Sequence, residues 1–170
     1  MPSAPPWRSR RVADVGALLA ELDAARDAFL DALAEVDADL VTTPGVMEDW
    51  SVRDLVVHVA AWAEHGASAL ELATTGRGSE FGYSKADTDS MNVRILADAR
   101  TTSPSAALLR ETDAFDGFRA RIAALDASLL ATVLGNGDTV EAVIRYDGPD
   151  HYAEHTAHLR GWFIADEEPE

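Results

Sequence analysis

The chain contains no cysteine. Disulfides, thiolate nucleophiles and sulfur-rich structural zinc sites are therefore excluded, and any metal has to be held by nitrogen and oxygen donors. Basic residues are also scarce, with 14 Lys and Arg against 30 Asp and Glu and a formal charge of −16. A surface of that sign repels phosphate backbones, so no nucleic-acid partner is expected. No apolar run approaches the roughly 20 residues that cross a bilayer, and the opening MPSAPPWRSRR lacks the apolar core of a secretory signal. The expectation is a cytoplasmic protein with no membrane partner.

What is present is helical periodicity. From Val12 to about Leu40, apolar residues such as Leu18, Leu22, Phe29, Leu33 and Val36 recur every three or four positions, the mark of one long amphipathic helix. Ser51 and Asp54 resemble a capping box opening a second helix that runs to about Ala73. The stretch from Thr74 to Ser90, rich in Gly, Ser, Thr and Asp, reads as a long crossover loop, followed by a short helix near Asp87 to Arg100. Ser103-Pro104 starts a third main helix, read as continuing through Val133. Thr139 to Tyr146 reads as briefly extended, and Gly148-Pro149 opens a last helix reaching about Ile164. Four long helices with one long crossover predict an all-α four-helix bundle. A chain of 170 residues fits one domain: residues 1–10 as a flexible flank, 11–165 as the bundle and 166–170 as an acidic tail. The cluster Arg8, Arg10 and Arg11 precedes the first helix and reads as solvated charge.

The chemistry concentrates in five histidines. His151, His155 and His158 stand three and four residues apart and form one imidazole stripe on the last helix. His58 and His65, seven residues apart, lie nearly on one face of the second helix with Asp54 and Trp62. Both sets point toward the bundle interior or its open end. Bundle cores build metal sites from inward side chains on facing helices, and three neutral imidazoles leave a coordination position open, the pattern of a catalytic metal. Trp50 and Trp62 read as packing residues.

Three segments, WSVRDLVVHVAAW from Trp50, MNVR from Met91 and HYAEH from His151, resemble the DinB-like four-helix-bundle superfamily. That superfamily includes the N-terminal domain of mycothiol-dependent maleylpyruvate isomerase, and the HYxEH element looks most like its ClbS/DfsB branch. The similarity spans about Leu18 to Trp162. It implies an up-down-down-up bundle with a divalent metal, zinc or nickel, on His58, His151 and His155. Maleylpyruvate isomerase domains use Glu-x-x-x-His instead, and Glu154 with His158 satisfies that spacing too. Two overlapping registers therefore compete, with His151 and His155 preferred because Tyr152 and Glu154 then fall where the branch has them.

The function implied by the resemblance is metal-dependent chemistry on an unknown small molecule, either hydrolysis or thiol-dependent transfer or isomerisation with a low-molecular-weight thiol as cosubstrate. In that reading Glu154 or His158 supplies the acid/base group, and the loop from Gly76 to Ser90, carrying Tyr83 and Lys85, covers the pocket. The alternative is a non-catalytic bundle that sequesters a small molecule or serves as a dimeric interaction module, its histidines being buried polar residues paired with Asp54 and Glu154. Bundles of this kind often pair through a helix face, which leaves a homodimer open as the assembly.

Overall fold

The computed structural model describes residues 14–166, with side chains through Trp162. The flank 1–10, the arginine cluster and most of the acidic tail lie outside the described residues. Among those described, six α-helices follow one another: α1 (Val15–Ala34), α2 (Val52–Thr74), α3 (Thr88–Ala99), α4 (Pro104–Ala123), α5 (Val140–Asp147) and α6 (Pro149–Asp166). None is long and apolar enough to cross a membrane. The fold is all-α, as the periodicity predicts.

Local chemistry sets most of the boundaries. The Asp14 carboxylate accepts the Gly16 amide at 2.9 Å and caps α1; the expected start at Val12 lies outside the described residues. Ser51 and Asp54 form a reciprocal capping box on α2, with Ser51 N donating to Asp54 Oδ2 at 2.9 Å. The Ser103 hydroxyl caps α4, with Pro104 in its first turn.

Three boundaries differ from the sequence reading. Helix α1 stops at Ala34 rather than near Leu40, because Asp37 turns extended and heads a separate 3-10 turn, Ala38–Leu40. The turn is held by the backbone, with Leu40 N donating to the Asp37 carbonyl at 2.9 Å. Helix α4 stops at Ala123 rather than Val133 for a similar reason: extended Asp126 accepts the Ser128 amide at 2.8 Å and starts the 3-10 turn Ala127–Ala131. The segment Thr139 to Tyr146 is helical, not extended. Its Val140, Val143 and Ile144 look strand-like by residue type, yet their spacing of three and four buries one helical face, and Thr139 caps the turn by accepting the Ala142 amide.

Cross-helix contacts fix the topology. Helices α2 and α4 run in parallel, with Glu64 paired to Arg110 and Glu71 to Arg121. Phe29 against Tyr152 and Leu22 beside Gly148 set α1 parallel to α6. Arg26 reaching Glu111 while Asp23 reaches Arg119 makes α1 antiparallel to α4, and His58 meeting His151 while His65 meets Asp147 makes α2 antiparallel to the α5–α6 corner. The order is up, down, down, up, with α3 in the crossover packed on α2.

A buried charged network ties three of the four long helices together. Glu111 on α4 is fully buried; Arg26 on α1 donates to both its oxygens at 2.9 Å, and Tyr152 on α6 donates its hydroxyl at 2.6 Å. A buried carboxylate is tolerable only with such complete pairing. The network also sets the rotation of α6: with Tyr152 turned toward α1 and α4, the neighbouring stripe of His151 and His155 faces α2. The α5–α6 corner is equally constrained, since a Cβ on Gly148 would sit 2.5 Å from the Ile144 carbonyl oxygen.

Candidate metal centre

His58 sits two turns into α2, flanked by Leu55 and Val59 of the buried face. His151 and His155 project from the first turns of α6 toward it. The Nε2 atom of His151 lies 2.9 Å from Nε2 of His58 and 2.9 Å from Nε2 of His155, and the three donors all fall within 4.8 Å of one another. Aromatic walls hold the rings in place. Trp50 meets His58 edge-on with centroids 5.0 Å apart, and Trp62 stands 6.3 Å from His58 and 6.2 Å from His151. Trp62 is itself fixed by its indole N–H, which donates to Asn92 Oδ1 at 3.2 Å.

Burial keeps all three imidazoles neutral. It pushes His58 down to about 4, with neighbouring His158 adding to the effect, and His151 down to about 3, with His58 adding. His155 is lowered further, first by burial and then by its three histidine neighbours. Neutral imidazole is the form that binds metal.

No set of tautomers satisfies the cluster as a purely protein network. The Nδ1 atoms of His58 and His151 are buried and have no hydrogen-bond partner. Nε2 of His151 carries either one proton or one lone pair, yet it faces two neighbours. Buried polar atoms left in this state are rare and costly. A cation accepting the three Nε2 lone pairs removes the conflict at the centre. Two donors each about 2.0–2.1 Å from one ion lie about 2.9 Å apart at a right angle and about 3.3–3.4 Å apart at the tetrahedral angle, so the 2.9 Å spacings are a little tighter than a tetrahedral ion needs.

His151 and His155 face His58, while the overlapping pair does not. Glu154 is exposed and lines the mouth of the cavity. His158 stands behind His155, with the two Nδ1 atoms 3.1 Å apart. Asp54 is committed to Ser51 and Arg53 rather than to a histidine. No hydrogen bond joins Glu154 to a histidine among the described residues, so the pairing required by the non-catalytic alternative is not found.

A cavity of about 280 Å³ opens over the cluster, lined by His58, His151 and His155 together with Trp62, Tyr83, Asn92, Asp147 and Glu154. The crossover does contribute to it through Tyr83 and Thr88, but Lys85 is exposed and takes no part. Trp62, read from sequence as a packing residue, lines the cavity, as does Asn92. Tyr146 and Asp147 also line it and were not expected there. No periodicity or motif marks them, since Tyr146 ends the segment read as extended and Asp147 follows it directly.

Comparison with known proteins places this architecture. A family model, the mycothiol maleylpyruvate isomerase N-terminal domain, matches residues 19–160. The chain belongs to that family. A search of curated proteins gives no match. Among solved structures, an uncharacterised protein from Escherichia coli UTI89 superposes with a TM-score of 0.77 at 16% identity, covering 92% of this chain and 96% of the other. The colibactin self-resistance protein ClbS, crystallised with double-stranded DNA, superposes with a TM-score of 0.75 at 16% identity, covering 88% and 94%. At that identity the two likenesses are of fold. Together with the family match they bear out the DinB-like bundle expected from the three sequence segments.

Proposed function

We propose that the chain is a metal-dependent enzyme acting on a small molecule, with one divalent ion, zinc or nickel, held by Nε2 of His58, His151 and His155. The observation that carries this reading is the convergence of three neutral imidazole nitrogens, that of His151 lying 2.9 Å from each of the other two, at the floor of an open cavity. When bound, the ion supplies Lewis-acid polarisation and lowers the pKa of a water or a low-molecular-weight thiol toward neutrality. Hydrolysis or thiol-dependent transfer or isomerisation is the reaction class.

The protein's own part is positioning and exclusion. Trp50 and Trp62 fix the ring planes of the cluster, and His158 abuts His155 from behind. Trp62, Tyr83 and Met47 give the cavity apolar walls that displace water from a bound ligand, while Asn92 and Glu154 offer polar contacts at its side and mouth. The family's mycothiol association supports a thiol as the cosubstrate class.

The test is metal content. Protein purified without a polyhistidine tag should carry one equivalent of zinc or nickel per chain by elemental analysis. Protein that stays empty after incubation with either ion ends this reading.

The reading extends to partners: a chain of charge −16 should not take duplex DNA, whatever the structurally similar ClbS does. In a low-salt titration with labelled duplex, the expected result is no saturation at micromolar protein. Micromolar affinity that weakens steeply as salt is raised would overturn the expectation.

A further inference from the structure

Asp147, the last residue of α5, lines the cavity yet is only 1% exposed. Its Oδ2 accepts from His65 Nδ1 at 2.7 Å, whereas no described residue donates to its Oδ1. The contact is deliberate in its packing. A Cβ on Gly66 would sit 3.1 Å from the Asp147 Cβ and 2.8 Å from the Phe118 ring, so the missing side chain is what lets α5 lie this close to α2 beside His65. Trp62, Phe81 and Tyr83 then enclose the His65 ring, with centroids 5.0, 5.2 and 4.7 Å away.

We propose that Asp147 is the proton acceptor of this site, taking a proton through Oδ1 from an S–H or O–H group held over the histidine cluster, with His65 as its positioning residue. The inference rests on the metal reading above. In the step, the S–H or O–H bond breaks and its electron pair stays on sulfur or oxygen. The proton forms an O–H bond at Asp147 Oδ1, while His65 Nδ1–H continues to hold Oδ2.

Burial raises the Asp147 carboxyl to about 6, against the opposing pull of His65. A base poised near neutrality suits proton transfer at working pH. The other groups around it are few. His65 faces it from α2, the Tyr146 hydroxyl is turned to Asp138 at 3.2 Å, α4 presents Phe118, and His151, His155 and Glu154 line the same cavity from α6. The cavity wall offers no Lys or Arg as a rival charge partner among the described residues.

The test counts protons rather than turnovers. Cobalt(II)-loaded protein is titrated with 2-mercaptoethanol near pH 7 in weakly buffered indicator solution, and the sulfur-to-cobalt absorption reports arrival of the probe. The free probe is protonated at that pH. If Asp147 keeps the proton, wild type releases about zero protons per probe bound, and Asp147→Asn releases about one. His65→Ala should also release about one, because burial pushes a carboxyl without its hydrogen-bond partner further up, so that it already holds a proton when the probe arrives. His65→Asn, which restores an N–H donor to Oδ2, should return the count toward zero, a rescue that a merely structural role for His65 would not produce. A count of about one from wild type with the absorption present overturns the role of Asp147 and leaves the metal reading intact. Absence of the absorption from every protein, wild type included, overturns both. If Asp147→Asn does not fold, the wild-type count and the His65 pair still decide.

Discussion

Stripping the metal from loaded protein is expected to lower its melting temperature by about 8–16 °C. An ion bound only by the folded state adds RT ln(1 + [L]/Kd), about 4.1 kcal/mol at a thousandfold excess over Kd, and a chain of this size moves by roughly 2–4 °C per kcal/mol. His155→Ala should abolish the response to chelator, because two imidazoles cannot reproduce the three-nitrogen floor of the cavity. His65→Ala should keep it, since His65 is paired with Asp147 and stands apart from the cluster. Melting curves of the three proteins with and without chelator provide the check. A wild-type curve indifferent to chelator, from protein first shown to carry metal, would refute the linkage.

The metal-free protein should unfold cooperatively on mild acidification, between about pH 6.5 and 4. Its three cluster imidazoles have folded pKa values below the unfolded value of about 6.5, with His58 near 4 and His151 near 3. The unfolded state therefore binds more protons in this window, and stability falls as pH drops. Each such imidazole costs about 1.4 kcal/mol per pH unit once the unfolded chain is protonated and the folded one is not. Asp147 works in the opposite sense. Its folded pKa is raised from 3.8 to about 6, so over that interval acidification favours the fold. One carboxyl against three imidazoles leaves the balance destabilising. Loss of near-ultraviolet circular dichroism followed against pH measures it, and an apo-protein fully folded at pH 4 would contradict the assignment of neutral buried histidines. Bound metal should move the midpoint to lower pH, because protons and the ion compete for the same nitrogens.

The sequence made the second helix legible almost to the residue, because Ser51 and Asp54 advertise its start and a run from Leu55 to Leu70 its face. His58, His151 and His155 were legible as candidates for the same reason, since helical spacing converts position directly into direction. What the spacing left open was the choice between His151 with His155 and Glu154 with His158. That choice depends on the rotation of α6, and the rotation depends on Tyr152 meeting Glu111 and Arg26 across the core. Such pairings join residues 41 and 85 positions apart and leave no periodic trace. Asp147 was hidden by a different ambiguity, because the β-branched run from Thr139 to Ile144 carries strand-like residue types on a helical spacing. Its partner His65 was visible only as a second histidine on the face of His58.

The division of the cluster between α2 and α6 has a consequence for the order of events in folding. His151 and His155 are one helical turn apart and can chelate an ion as soon as that turn forms, whereas His58 is 93 residues away from His151 in the chain. Closing that span waits for non-local docking, the slow class of folding event. A cation present during refolding thus meets a two-nitrogen site before the three-nitrogen one. It stabilises the nascent α6 first and then rewards the docking of α2 with a third bond, so the ion should act on the late packing step more than on the initial collapse.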